Sequence, residues 1–195
     1  MRKLLSKLAK HPSAAIILRK IVELNFRAEK STIRQYLPME PHDQVLDIGC
    51  GTGEFAPLFP AEQYIGIDID ERNIAYARSH YSHRFEVADG KKLPFLENSF
   101  TTALVVGVFH HLSTPDCRQV FSEIKRVVKP GGRILIMEDT HSKRLIVKML
   151  QSIDQGAYIR DFSEWNSLLA DNFAVDKTGV FNSGASFYSY FFAHT

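Results

Sequence analysis

Asp47-Ile48-Gly49-Cys50-Gly51-Thr52-Gly53 decides how this chain folds. The preceding Val45-Leu46 makes the start of a short apolar strand, and three alternating glycines follow it directly. Glycines at a strand end let the backbone turn sharply and let a ligand approach it closely. A helix is expected next, so that its free amides face an anionic group. A tight turn alone would not need three glycines. Asp68 ends the next apolar run, Tyr64-Ile65-Gly66-Ile67-Asp68, 19 residues after Gly49. An acid at that spacing suits a carboxylate that accepts from ribose hydroxyls. The two features together indicate a nucleoside cofactor without saying which one.

Outward from this centre, strand and helix signals alternate. Glu71 to His80 reads as a helix, Phe85 to Ala88 as a strand, Thr102 to Val106 as an apolar β-branched strand, and Pro115 to Val128 as a helix. Lys129-Pro130-Gly131-Gly132 ends that helix, and Arg133 to Met137 is a fifth strand. Phe162 to Asn172 suggests a helix. Ala174 to Phe181 and Ser186 to Ala193 then read as an antiparallel hairpin turned at Asn182-Ser183-Gly184. Alternating apolar strands and helices predict an α/β fold: a Rossmann-like, seven-stranded, mainly parallel sheet with helices on both faces and an antiparallel C-terminal hairpin. The segment Ser186 to Ala193 is expected beside the fifth strand. Before the sheet, Ile17, Ile21, Leu24 and Ala28 repeat at helical spacing, which predicts a helix from Ser13 to about Leu37. Residues 1–37 form an N-terminal helical segment on this reading, and 38–195 the cofactor-binding domain.

The motifs taken in order resemble the class I S-adenosylmethionine-dependent methyltransferases. Val45 to Gly53 looks like the first motif, and Gly66-Ile67-Asp68-Ile69 the second. Ala88-Asp89-Gly90, with Leu93-Pro94-Phe95 and Asn98-Ser99-Phe100, resembles the third. Phe109-His110-His111-Leu112 and Val127 to Gly132 complete the set. The resemblance spans roughly residues 40–140 and is nearest the small-molecule branch, which includes quinone-biosynthesis methyltransferases. One position departs: the family usually has Asp after the Ser-Phe pair, where this chain has Thr101.

The resemblance implies a role for each matching residue. Asp47 would face the methionine ammonium. Gly49, Cys50, Gly51 and Gly53 would wrap the amino-acid and ribose portions. Asp68 would hold the ribose hydroxyls, with Ile69 against the adenine face. Asp89 would accept from the adenine amine, near the Gly90 amide, and Val106 would lie by the methionine part. The reaction implied is direct displacement at the sulfonium methyl, with S-adenosylhomocysteine as product and no metal. His110 and His111, after the fourth strand, are candidates for a catalytic base where the acceptor must lose a proton. Both could instead shape the pocket wall. Asp139 and His141 follow the fifth strand. Residues that choose the acceptor are expected in the N-terminal helix and in His141 to Asp161, with a helix at Lys143 to Ile153 and a flap at Gln155 to Arg160.

Composition sets the remaining bounds. The 195 residues suit one domain, with 45% hydrophobic and 24% charged residues. The formal net charge of +2 hides an asymmetry. Residues 1–37 carry nine Lys/Arg and two Glu, leaving the remainder net acidic. A basic amphipathic helix leaves open a peripheral contact with an anionic membrane, though a solvated helix face is the commoner explanation. No separate nucleic-acid module is visible, so the expected partner is a small-molecule methyl acceptor rather than nucleic acid. No apolar run reaches the roughly 18–20 residues of a membrane span. Lys7 and Lys10 interrupt the first apolar stretch, so no signal peptide is read. Cys50 and Cys117 have no CxxC neighbour and read as reduced thiols of a cytoplasmic protein. The alternatives are a nicotinamide-dependent oxidoreductase and a non-catalytic cofactor-binding relative. The first is disfavoured because no further glycine follows Gly53 at the dinucleotide-binding spacing.

Overall fold

The computed structural model describes residues 23–142 and 157–195. The expected start of the N-terminal helix, the Lys143 to Ile153 helix and the first part of the Gln155 to Arg160 flap lie outside the described residues. Seven strands form one sheet: β1 Val45–Ile48, β2 Tyr64–Asp68, β3 Arg84–Val87, β4 Phe100–Val106, β5 Val128–Asp139, β6 Ala174–Ser183 and β7 Ser186–His194. Their order is β3-β2-β1-β4-β5-β7-β6. The first five are parallel, and β7 runs antiparallel to both β5 and β6. β7 thus sits beside β5 as expected, pairing Met137 with Tyr190 and Ile136 with Phe191. Gly184 and Ala185 make the two-residue turn between Ser183 and Ser186, with Gly184 at φ 56°.

Among the described residues four α-helices flank the sheet: α1 Arg27–Tyr36, α2 Glu71–His80, α3 Thr114–Val127 and α4 Phe162–Ala170. Their starts are chemically defined. The Asp70 side chain accepts from the Arg72 amide at α2, and the Ser113 hydroxyl accepts from the Asp116 amide at α3. At α4, Asp161 and Glu164 form a reciprocal capping box. The strands are apolar on both faces because each face is covered. Leu46, Ile48, Val105 and Ile136 pack with α3 and α4. Val45, Leu104, Leu135 and Met137 pack with α1.

Three expectations are corrected. First, no α-helix follows the glycine loop; only short turns occur, at Ala56–Leu58 and Ala61–Gln63. Pro60 forces Phe59 into extended backbone, at φ −123° and ψ 150°, and β2 begins at Tyr64, so a longer helix has no room. The loop's own amides, not a helix start, must therefore meet a ligand. Second, the helix expected as far as about Leu37 is interrupted at residues 24–26. Leu24, Asn25 and Phe26 all have positive φ, at 49°, 59° and 56°, which breaks the helical hydrogen-bond ladder before Arg27. Leu24 is 62% exposed, while Phe26, Glu29, Ile33 and Leu37 are buried. Third, β5 begins at Val128, earlier than expected. Val128 pairs with Phe100, and the register shifts before Thr102 meets Arg133, with Gly131 at φ 73° between.

Thr101 acquires a role at the amino-terminal end of the sheet. Its hydroxyl donates to Asp43 Oδ1 at 2.9 Å and accepts from the Gln44 amide at 3.0 Å. Arg133 pairs with the other Asp43 oxygen. Asp43 already supplies the carboxylate here, so a hydroxyl is the group that can both donate and accept.

Candidate functional site

The sheet gathers the expected residues along one edge, where β1, β2, β3 and β4 end. Asp47 and the glycine loop lie at the end of β1, Asp68 and Ile69 at the end of β2, Asp89 and Gly90 just past β3, and Val106 at the end of β4. Turning the chain there takes the positive φ of Gly49, Gly51 and Gly53. Gly49 has a further constraint, since a Cβ on it would lie 2.3 Å from Val108 Cγ2. The Gly49 and Cys50 amides both donate to the Ile67 carbonyl at 2.8 Å, so β2 anchors the loop.

Asp68 anchors it as well. The Gly51 amide donates to Asp68 Oδ2 at 2.9 Å, and the Asp70 amide donates to Oδ1 at 2.8 Å. The carboxylate expected to hold a ribose thus also fixes the loop that would wrap it. From the other side, Lys30 of α1 pairs with Glu54 at 3.1 Å, and Phe26 meets Phe55 edge-on at 5.7 Å.

Asp47 is 1% exposed. Its neighbour across the β1–β2 ladder is Gly66, whose missing side chain leaves room for three groups: a Cβ there would lie 2.8 Å from Phe85 Cδ1, 2.9 Å from Cys50 Sγ and 3.0 Å from the Tyr64 hydroxyl. Tyr64 uses the space to donate to Asp47 Oδ2 at 2.7 Å. Burial pushes the Asp47 carboxyl up to about 7; the Tyr64 hydrogen bond opposes the rise and the Asp68 charge adds to it. Burial also pushes Tyr64 well above its ordinary value, raises the Cys50 thiol, and lifts Cys117 to about 11. The Cys117 thiol therefore stays protonated at neutral pH.

Ile69 is 71% exposed and Val87 is half exposed, an apolar pair flanking Asp68 and Asp89. An apolar ring with polar edges fits between such groups. Asp89 Oδ1 accepts from the Lys91 amide at 2.9 Å, which fixes its turn.

His110 and His111 sit together in the short turn Phe109–His111 beyond β4, ring centroids 4.0 Å apart. They differ in setting, since His110 is 3% exposed and His111 lies at the surface. The motifs do not reveal Glu138, fully buried near the end of β5. Its Oε1 accepts the amides of Val108 and Phe109 at 2.9 and 2.8 Å, and its Oε2 accepts the His110 amide at 3.2 Å and meets His110 Nδ1 at 3.0 Å. Arg160, placed by sequence in a flap, ties its segment to the same turn. Its guanidinium donates to the carbonyls of Phe109 and Leu112, and the Tyr158 amide donates to the His110 carbonyl at 2.9 Å. Tyr64, Val87 and Glu138 stand beside the expected site residues and were not singled out from the sequence; only Tyr64 has a local signal, two positions before a glycine that faces Asp47. Among the described residues no cluster of His, Cys, Asp and Glu could hold a metal, and no helix is long and apolar enough to cross a membrane.

Residues 46–136 match the family model described as a methyltransferase domain. The chain is 41% identical over 93 residues to a tRNA (carboxymethyluridine(34)-5-O)-methyltransferase of Arabidopsis thaliana, covering 47% of this chain and 23% of that protein. It is 31% identical over 111 residues to the ubiquinone/menaquinone biosynthesis C-methyltransferase UbiE of Desulfotalea psychrophila, covering 53% of this chain and 44% of the other. The chain thus spans less than half the length of these relatives. Among solved structures, magnesium protoporphyrin IX methyltransferase from Synechocystis PCC 6803, with bound S-adenosylhomocysteine, superposes with a TM-score of 0.69. It covers 91% of this chain and 86% of that one at 19% identity, a likeness of fold.

Proposed function

Residues 46–136 are a methyltransferase domain of the class I S-adenosylmethionine-dependent family, and on that premise we propose that the chain transfers a methyl group from S-adenosylmethionine by direct displacement. One observation carries the reading: three acids stand in sequence along one sheet edge, Asp47, Asp68 and Asp89, with Ile69 and Val87 exposed beside them. Bound there, the cofactor would supply a methyl on a cationic sulfur, a leaving group that needs no metal. Asp47 would ionise against its ammonium, which offsets the burial of both charges. Asp68 would accept from the ribose hydroxyls while holding Gly51. Ile69 and Val87 would cover the adenine faces, and Asp89 would accept from the adenine amine. The chain's remaining work is to align the acceptor with the methyl and to exclude water.

For the acceptor, a small molecule is the reading favoured by charge. Residues 38–195 are net acidic, which opposes a phosphate backbone. A tRNA acceptor is the second reading, favoured by the identity to the Arabidopsis enzyme. The test is a labelled-methyl transfer assay over separated small metabolites, lipids, proteins and RNA, with S-adenosylhomocysteine binding by calorimetry alongside. Binding of S-adenosylhomocysteine without competition from NADH is expected, with label entering the small-molecule fraction. Label in RNA would select the second reading. Saturable NADH binding with none for S-adenosylhomocysteine would overturn both.

A further inference from the structure

We infer that Tyr64 is a positioning residue for the cofactor: its hydroxyl holds one oxygen of Asp47, so that the other meets the ammonium of the amino-acid half. The inference rests on the transferase reading above and adds to it a residue outside the glycine loop and the three acids. Tyr64 opens β2, two residues before Gly66. Side chains two apart on a strand share a face, so Tyr64 points to the side that Gly66 leaves empty. The phenol reaches across that space and donates to Asp47 Oδ2 at 2.7 Å. It is the one donor that the Asp47 side chain meets among the described residues. Oδ1 takes no hydrogen bond there and is not fully enclosed. One oxygen of Asp47 is thus spent and the other is on offer to a ligand.

Packing fixes where the hydroxyl points. The Tyr64 ring stacks on Phe59 with centroids 5.6 Å apart, and meets His83 and Phe85 edge-on at 5.3 and 5.9 Å. Tyr64 and Asp47 are each 1% exposed. A buried carboxylate with no donor takes up a proton, and a neutral acid holds an ammonium weakly. The hydroxyl favours the ionised form against the burial that lifts Asp47 to about 7. Other titratable and charged groups surround the pair. Asp68 of β2 disfavours the Asp47 charge. The loop brings Cys50, and Glu54 paired with Lys30 of α1. The segment before β3 brings Tyr81 and His83. Of these groups the Tyr64 hydroxyl is the one that hydrogen-bonds Asp47. A neutral donor suits the place, since a fixed cation beside Asp47 would repel the ammonium as well as hold the carboxylate.

Calorimetry on Tyr64→Phe with two ligands tests this. Phe keeps the ring among Phe59, His83 and Phe85 and removes only the donor. S-adenosylhomocysteine carries the ammonium; methylthioadenosine keeps the adenine, ribose and sulfur and lacks it. At about pH 6 the variant should bind S-adenosylhomocysteine about 10-fold more weakly than the wild type. The gap should narrow to within about threefold at about pH 8.5, where Asp47 ionises without help. Methylthioadenosine affinity should change less than about twofold at either pH, because its contacts do not include Asp47. Fluorotyrosine in place of Tyr64, with a more acidic hydroxyl and so a stronger donor, should tighten S-adenosylhomocysteine binding at about pH 6. Added to Asp47→Asn, Tyr64→Phe should change S-adenosylhomocysteine affinity less than about twofold, since no charge is left to hold. Equal losses for the two ligands, or a loss for S-adenosylhomocysteine that ignores pH, would make Tyr64 a packing residue and overturn the positioning role while leaving the transferase reading intact. Failure of the wild type to bind S-adenosylhomocysteine would overturn both.

Discussion

Replacing Asp47 by Asn should make the protein less sensitive to rising pH. The carboxyl is buried and its pKa is raised from 3.8 to about 7. A group whose pKa is raised on folding lends its full stability below the unfolded pKa, and that stability is lost as pH rises through the folded value. A tenfold change in acidity is worth about 1.4 kcal/mol, so the ionised form costs about 4 kcal/mol above pH 7. Between about pH 5.5 and pH 8 the pH climbs roughly 1.5 units before reaching the folded pKa, so the wild type should lose about 2 kcal/mol that Asp47→Asn retains. Asn still accepts from the Tyr64 hydroxyl and adds no bulk beside Gly66. Urea denaturation of both proteins at the two pH values, without cofactor, measures the difference. An unchanged stability gap between wild type and variant would show that Asp47 does not titrate in this window, and the reasoning from burial would fail.

Further outcomes follow from the same edge of the sheet. S-adenosylhomocysteine should bind more tightly as pH rises from about 6 to 8, with proton release seen as a buffer-dependent binding enthalpy, because its ammonium favours the ionised Asp47; pH-independent affinity would separate Asp47 from the ligand. Asp68→Ala should weaken S-adenosylhomocysteine binding about 10- to 100-fold and speed hydrogen exchange at Gly51, whose amide it holds. Gly49→Ala should destabilise the protein by roughly 1–3 kcal/mol through its positive φ, with part restored by Val108→Ala, which empties the position a Cβ would strike. Thr101→Asp should cost about 1–2 kcal/mol by setting a second carboxylate beside Asp43, and Asp43→Asn should recover it in thermal melts.

The sheet is legible in the sequence because its strands are short apolar runs bounded by glycine, proline and charge. The β6–β7 hairpin and its place beside β5 follow from two β-rich runs joined by a turn too short for a helix. The acids at the strand ends are legible for the same reason: each is a polar residue where an apolar run stops. Glu138 is hidden because it also ends an apolar run, next to Asp139, and nothing local says which carboxylate turns inward. Its partners are backbone amides, which every residue carries, some 30 positions away. The missing helix after the glycine loop is hard to foresee because Pro57 is tolerated in a first helical turn, and only Pro60 limits the run. The periodicity of Leu24 and Ala28 misleads because Leu24, Asn25 and Phe26 have positive φ, so Leu24 lies outside the helix that begins at Arg27.

The position of β7 has a consequence for how the sheet is assembled. β6 touches the rest of the sheet only through β7, which follows it in the chain. When β6 is made its backbone pairing groups have no strand to meet until β7 follows, although the helices α1 and α4 already offer it a packing surface. Met137 and Leu135 stay open on their β7 side for the same interval, since Tyr190 and Phe192 close it. Removing Ser186–His194 would leave β6 without a partner in the sheet and would expose the edge of the strand that carries Glu138.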